Sequence, residues 1–204
     1  MASDWFNYFK EIEKNKLSEH RYQHCISVSS TAESLAEKYG VDSKKAKLAG
    51  LLHDLYKQTD DQMFIDLIHS GHYDLSLLKY GNGVWHGFLG ADLLKNEYHF
   101  YDEEILNSIR YHTISNPQMD NLAKVIFVAD YIEPNRNFEE AALARMIAKE
   151  DLDAAVLFEI EKTVHYLMEK SSLIHPAMLL TYNTLYTNNL KYHELIEKAE
   201  ENWK

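Results

Sequence analysis

The sequence predicts an all-α protein that folds as one helical bundle. Apolar residues recur at steps of three and four along most of the chain, the spacing of a buried helix face. Residues that typically begin or end helices, such as Ser18 and Gly40, divide this pattern into segments. No repeat, low-complexity segment or change of composition marks a linker. We therefore expect a single domain over residues 1–204, with its core from about 18 to 183 and C-terminal helices packed on it.

The first predicted helix follows Ser18, whose side chain can cap it, and ends at Gly40. Its apolar face is formed by Tyr22, Cys25, Val28, Ala32, Leu35 and Tyr39. A second helix is expected from about Ser43 to Tyr56, and it includes most of the motif LLHDLYK at residues 51–57. The segment DDQMFIDLIHSG predicts a third helix that ends at Gly71.

The paired glycines of GNGVW, residues 81–85, predict a loop before helical spacing resumes in HGFLGADLLKNEY. DEEILNSIRYH predicts the next helix, with His112 on its apolar face. NLAKVIFVADYIEP predicts a helix that ends before Pro134, because proline disfavours helical backbone at the preceding residue. A strand over KVIFVADY fits its neighbours less well. Two or three further helices are expected from Asn137 onward, interrupted at Pro176.

The composition limits the partners of the chain. A net charge of −11 argues against nucleic acid, because binding along a phosphate backbone usually shows clustered Lys and Arg. A small anionic ligand would need local positive charge, such as metal ions. We find neither a signal peptide nor a membrane-spanning run, so the cytoplasm is the expected compartment. The single Cys25 excludes an internal disulfide framework. A homodimer is a further expectation for this chain.

Six ionisable residues fall on apolar helical faces, from a total of 11 histidines and many carboxylates. They are His24, His53, Asp54, His86, His112 and Asp130. The adjacent pair inside a leucine-rich segment is the strongest signal, since an unpartnered buried carboxylate costs several kcal/mol. Imidazole and carboxylate ligands suit a first-row transition metal. Six ligands suit two ions better than one, with Asp54 as a bridge and open positions left for water.

Other interpretations remain open at these positions. A single histidine on such a face is more often a hydrogen-bonded core residue than a ligand, and an Arg or Lys could pair with Asp54. His20 could share a helix face with His24. Cys25 is interpreted as a small core residue. Tyr80, Tyr131 and Trp85 could stack on a nucleobase, although such aromatic residues usually pack in the core.

Two ions about 3.5–4 Å apart can ionise a bridging water and hold phosphate oxygens on both sides of the bond that breaks. Positioning and electrostatic stabilisation supply most of the rate in phosphoryl transfer, so no protein nucleophile is needed. The sequence contains no G-x-S-x-G or P-loop pattern. These features favour metal-dependent phosphate hydrolysis.

The motifs RYQH, LLHDLYK, WHGFLGA, IRYHT and VADYIEPNR, in this order, resemble the HD-domain superfamily of metal-dependent phosphohydrolases. The resemblance is closest to its YqeK-type branch of symmetrical dinucleoside tetraphosphate hydrolases. It implies that one metal is held by His24, His53, Asp54 and Asp130, and a second by His86 and His112 with Asp54 shared. It also implies a di-iron centre, with manganese, cobalt or another divalent metal as alternatives.

Several residues near the motifs are candidates for contact with the substrate. Asp54 and Lys57 are the expected catalytic residues, and Lys57 follows Asp54 by three positions, so it can reach a phosphate at the metals. It could equally be a solvated lysine at a helix end. The other expected substrate-binding residues are Arg21, Glu133, Arg136 and His175, the last implied by the resemblance of SLIHPAMLLTYN to a late family segment. Arg21 could instead pair with a carboxylate, and Glu133 could support a metal ligand, accept a proton or lie on the surface. Tyr182 stands where an arginine is expected in that late segment.

The expected function is therefore hydrolysis of dinucleoside polyphosphates, specifically diadenosine tetraphosphate to two ADP. One alternative is an HD phosphohydrolase of a deoxynucleotide, guanosine tetraphosphate or a cyclic dinucleotide. A second is a di-iron oxygenase, because an iron pair with open sites can activate oxygen. A third is a non-catalytic ligand-sensing module in which the metal contributes only folding free energy.

Overall fold

The computed structural model describes residues 2–189 and 191–203, which form α-helices and, within those ranges, no β-strand. This confirms the all-α prediction. Two short segments between α4 and α5 are a π-helical turn at Ile68–His72 and a 3₁₀ helix at Leu75–Lys79. The α-helices are α1 Ala2–Lys16, α2 Glu19–Tyr39, α3 Ser43–Leu52, α4 Asp61–Leu67, α5 Asn82–Phe88, α6 Gly90–Tyr98, α7 Glu103–Tyr111, α8 Asn121–Ile132, α9 Glu139–Ile147, α10 Leu152–Glu169, α11 Pro176–Asn188 and α12 Tyr192–Trp203.

The predicted signals at the ends of α2 act as expected. The Ser18 side chain accepts a hydrogen bond from the backbone N–H of Arg21, and Gly40 adopts φ of 67°, the left-handed conformation that glycine tolerates best. Aspartates cap five later helices in the same way, accepting backbone N–H groups of the first turn: Asp42, Asp60, Asp102, Asp120 and Asp151.

Three details of the predicted helices are wrong. Helix α3 ends at Leu52 instead of Tyr56, and the chain continues in tight turns in which Lys57 N–H donates to Asp54 O. GNGVW begins helix α5, since neither of its glycines needs a positive φ. The described residues after 137 form four helices. The breaks before α10 and α12 carry neither glycine nor proline, so the strongest helix-breaking residues are missing there, although Asp151 caps α10.

The site is positioned by α2, α3, α7 and α8, which pack against one another. Helices α2 and α3 approach closely at Gly50, where an added Cβ would lie 2.8 Å from the Cα of Ser29. Ser29 Oγ donates to Lys47 O across the same contact. Helix α10 packs on the outer side of α8. No helix in the described part of the chain is long and apolar enough to cross a membrane.

Candidate metal centre

The structure brings the six predicted ligands into one buried cluster. His24 lies within α2, and His53 and Asp54 directly follow α3. The remaining three come from α5, the end of α7, and α8: His86, His112 and Asp130. All of these residues are buried except Asp130, whose side chain is 23% exposed. The cluster is therefore shielded from solvent, with one partly open side at Asp130.

The two carboxylate oxygens of Asp54 face different histidines. Oδ2 lies 3.7 Å from His24 Nε2 and 3.4 Å from His53 Nε2. Oδ1 lies 3.0 Å from His86 Nε2 and 3.8 Å from His112 Nε2. Asp130 Oδ1 completes the first group, 3.0 Å from His24 Nε2 and 3.8 Å from His53 Nε2. One carboxylate thus joins two donor groups, which is the arrangement that a bridging ligand needs.

The four imidazole rings are held by their outer nitrogens. The Nδ1 of His53 lies 2.8 Å from Gly50 O, and that of His112 lies 2.7 Å from Ile109 O. His86 Nδ1 lies 2.5 Å from the carbonyl oxygen of Asn82. Because a carbonyl oxygen only accepts, these Nδ1 atoms carry the proton and Nε2 presents a lone pair to the centre.

The inward-facing nitrogens are poorly satisfied by the protein alone. His86 Nε2 and His112 Nε2 are 3.1 Å apart, and two lone pairs cannot form a hydrogen bond. His24 Nε2 and His53 Nε2 are buried without a hydrogen-bond partner among the described residues. Cations between these nitrogens and the carboxylates would turn the unfavourable contacts into ligand bonds. The donor set of four imidazoles and two carboxylates therefore fits transition-metal ions.

The protein electrostatics favour the metal-binding protonation states of Asp54, Asp130 and His112. At His53, burial lowers the pKa, but the neighbouring Asp54 carboxylate outweighs burial and raises it, so a metal ion would have to displace a proton there. Burial raises the pKa of Asp54, but neighbouring His53 and His86 outweigh it and hold the pKa well below its usual range. The pKa of Asp130 is also low, because His24, His53 and Arg136 overcome the effect of burial. Burial, reinforced by His86 and His53, lowers the pKa of His112 to about 3. Neutral imidazole and ionised carboxylate are the metal-binding forms.

Three cationic side chains lie beside the cluster, as the sequence predicted. Arg21 Nη1 donates to Asp54 Oδ2 at 2.7 Å, and Arg136 Nη2 donates to Asp130 Oδ1 at 2.8 Å. Lys57 Nζ lies 3.4 Å from His86 Nδ1, and burial lowers its pKa. These residues provide local positive charge in a chain with a net charge of −11. Lys57 is therefore at the centre and not at a solvated helix end.

Two other predicted site residues take different positions. Glu133 is only 2% exposed and lies behind His24, with Oε1 3.2 Å from His24 Nδ1. Its other oxygen accepts from Ser27 Oγ and from the backbone N–H of Asn135, so both oxygens are used within the protein. His175 caps α11 and stacks at 5.2 Å, at a tilt, with the ring of Tyr80. It makes no described contact with the six clustered residues.

Sequence reasoning missed two buried carboxyl groups near the centre. Glu13 on α1 is fully buried and neither side-chain oxygen has a hydrogen-bond partner among the described residues. Burial and then Asp54 raise its pKa well above the usual range. Glu159 on α10 is 7% exposed, and burial and then Asp130 raise its pKa. Glu13 lies in a charged helix, where spacing alone does not separate a buried glutamate from a solvated one. Glu159 interrupts the apolar run AAVLFEI, a signal of the same kind as that at Asp130.

Comparison with known proteins agrees with this geometry. The family model of the HD domain matches residues 21–135. The symmetrical bis(5'-nucleosyl)-tetraphosphatase of Bacillus subtilis is 42% identical over 176 residues, which cover 86% of this chain and 95% of that protein. The protein of the same name from Halalkalibacterium halodurans is 41% identical over 175 residues, covering 86% and 94%.

A solved structure has the same fold. An HD superfamily hydrolase from Clostridium acetobutylicum, described as involved in NAD metabolism, superimposes with a TM-score of 0.85 at 33% identity, covering 90% of this chain and 98% of that one. The HD-domain match and the clustered His and Asp residues both indicate divalent metal binding. These matches confirm the resemblance inferred from the motifs: the chain belongs to the HD-domain family, in the same group as the two tetraphosphatases.

Proposed function

We propose that this chain is a metal-dependent hydrolase that cleaves diadenosine tetraphosphate symmetrically into two ADP. The observation that carries the proposal is Asp54, whose two oxygens face two separate groups of histidines. The names of the relatives from Bacillus subtilis and Halalkalibacterium halodurans support the substrate and the symmetry of cleavage. A small-molecule nucleotide is thus the partner that fits the site.

The proposed metal ligands are those that the motifs implied. His24, His53, Asp54 and Asp130 would hold one ion, and His86, His112 and the shared Asp54 would hold the second. When bound, such ions activate water for attack on phosphorus and neutralise charge on the phosphate oxygens. Iron is proposed because imidazole and carboxylate together suit it, and manganese or cobalt would be accepted by the same donors.

The chain's own cations would orient the substrate. Arg21 and Arg136 already donate to the carboxylates of the centre, and each guanidinium carries further N–H groups that can bind phosphate oxygens in a fork. Lys57 Nζ, on the His86 side, would contact a phosphate there as a point charge. These three residues would align the polyphosphate and offset its negative charge.

Glu133 is proposed to act through His24 and not on the substrate. It holds the His24 ring with Nε2 directed inward and strengthens that nitrogen as a ligand. The expectation that Glu133 contacts substrate is therefore replaced by a positioning role. His175 is not proposed to contact the substrate at the metal ions. It lines a separate cavity. The homodimer and the single-domain organisation stay predictions.

The proposed reaction is tested by incubating iron- or manganese-loaded protein with diadenosine tetraphosphate and separating the products by chromatography. We expect ADP alone. Formation of AMP and ATP would still indicate a metal-dependent phosphohydrolase, but it would contradict symmetrical cleavage. Absence of any product, with deoxynucleotides, guanosine tetraphosphate and cyclic dinucleotides also unchanged, would favour the ligand-sensing alternative.

Glu133→Gln is expected to weaken metal binding about 10–100-fold, the usual effect of losing a partner that orients a ligand. The amide is neutral and has only one accepting oxygen, so it cannot accept from His24 on one side and from Ser27 and the Asn135 N–H on the other. Metal content after dialysis against a graded chelator measures the change. Glu139→Gln, an exposed position on α9, is the matched control. Equal metal retention in both variants would contradict the positioning role.

A further inference from the structure

Two cavities lie beside the metal centre and meet at Thr163 on α10. The first, here called the Phe138 cavity, has a volume of about 710 Å³. Its lining includes Tyr131, Arg136, Phe138, Lys162, Thr163 and Tyr166. The second, the His175 cavity, has a volume of about 470 Å³ and includes Tyr80, Val84, Thr113, Thr163, His175 and Met178. Thr163 lines both cavities, so they are neighbours on one face of α10.

Each cavity is connected to a different half of the centre. In the Phe138 cavity, Arg136 donates to Asp130, which belongs to the group with His24 and His53. In the His175 cavity, Thr113 directly follows His112, and Val84 lies two residues before His86. The first cavity therefore shares Arg136 with one proposed ion site, and the second is lined by sequence neighbours of two ligands of the other.

The Phe138 cavity combines ring surfaces with charged side chains of both signs, since Glu140 and Glu169 line it together with Arg136 and Lys162. Phe138 and Tyr166 line the cavity and are 39% and 58% exposed, so ring surface is available there to a ligand. Tyr131 packs edge-on against Phe138, with ring centroids 5.2 Å apart, and fixes one wall. Lys162 and Arg136 supply cations at the same cavity. Aromatic faces beside basic groups are what a nucleotide requires, for stacking of the base and for its phosphates.

An unsatisfied polar group lies close to this cavity. Glu159 precedes Thr163 by one helical turn on the same face of α10, and its Oε2 has no hydrogen-bond partner among the described residues. It interacts electrostatically with Arg136 and Tyr131, which both line the cavity. A buried carboxyl of this kind can meet an N–H or O–H donor of a base or ribose.

The His175 cavity offers a second set of ring surfaces. The rings of Tyr80 and His175 have centroids 5.2 Å apart at an angle of 51°. Buried Met178 forms apolar lining beside them. This cavity is smaller, but its volume still lies within the range of pockets that bind small molecules, about 300–1,000 Å³.

We infer that the two cavities are two nucleoside compartments, one for each adenosine of the dinucleotide, with the polyphosphate passing over the metal centre between them. The inference rests on the proposed function and deepens it. A substrate anchored at both ends cannot slide along the centre. The position of cleavage is then set by the length of the phosphate chain on each side, and equal lengths place the middle bond at the metals.

The product ADP is a direct probe, because it carries one nucleoside and is not consumed. Calorimetric titration of the metal-loaded protein is expected to give two ADP per chain. Tyr166→Ala should weaken one of the two ADP sites about tenfold, and Tyr80→Ala the other, as stacking contacts typically do when lost. The KM for diadenosine tetraphosphate should rise by a similar factor in each variant.

Two further variants separate stacking from general damage. Tyr166→Phe keeps the ring and should restore ADP binding and KM. Tyr101→Ala removes a tyrosine that is 65% exposed and lies outside both cavities, and it should change neither quantity. Circular dichroism checks that all four variants keep the helical fold.

The outcomes distinguish this inference from the proposed function. One ADP per chain, or unchanged ADP binding in both alanine variants, would overturn the two compartments even if the protein converts diadenosine tetraphosphate to ADP. Two ADP sites that respond separately to Tyr166→Ala and Tyr80→Ala would support the compartments. In that case a failure to hydrolyse the dinucleotide would count against the proposed reaction alone.

Discussion

Asp54→Ala is expected to remove both metal ions. It should also lower the hydrolysis rate by at least about 10²–10³-fold, because the loss of one electrostatic contact to the transition state already has an effect of that size. The reason is geometric. Oδ2 of Asp54 faces His24 and His53, whereas Oδ1 faces His86 and His112, so one substitution removes a ligand from both groups. Metal per chain, measured by emission spectrometry after dialysis, and the steady-state rate of ADP formation give the two readouts.

Controls separate charge from volume at this position. Asp54→Asn keeps the shape and can still accept from Arg21, but its neutral amide is a weaker ligand, so it should bind less metal than the native protein. Asp66→Ala changes an exposed aspartate on α4 and should leave metal content unchanged. The fold should survive in Asp54→Ala because the Arg21 side chain is 25% exposed and can reach water. Two metals per chain in Asp54→Ala would contradict the bridge.

The clustering of the candidate ligands could be predicted in part, because some of them contradict their local environment. His53 and Asp54 interrupt a run of leucines, and Asp130 interrupts VIFVADYI, so their burial needed an external partner. Helix caps were predictable for a similar reason, since Ser18 and Gly40 act on backbone within a few residues.

The supporting contacts were not predictable, because they join residues that are distant in the sequence or use backbone atoms. Glu133 lies 109 residues from His24, and the carbonyl of Gly50 carries no side-chain signature. The early end of α3 at Leu52, where tight turns replace the helix, is also not revealed by helical spacing. The burial of Glu13 is likewise a property of the packed helices, and its segment reads as an ordinary charged helix.

Gly87 shows how packing at one position can control the second group of ligands. An added Cβ would lie 2.8 Å from Cε1 and 2.9 Å from Nδ1 of His112, and 3.0 Å from Ile109 O. That carbonyl is the acceptor that holds the His112 ring. The ring is fully buried among other side chains, so it cannot move aside without disturbing them. Only glycine leaves room for the imidazole and its acceptor together.

Gly87→Ala is therefore expected to destabilise the protein by about 1–3 kcal/mol, the usual range for overpacking, although alanine normally favours a helix. It should also weaken binding of the second ion about 10–100-fold, because the contact that orients His112 is displaced. Gly83→Ala is the matched control in the same helix: its Cβ would meet nothing within 4 Å. It should retain its metal and gain up to about 1 kcal/mol. Thermal unfolding and metal content of the two variants test this, and equal behaviour would show that Gly87 does not position His112.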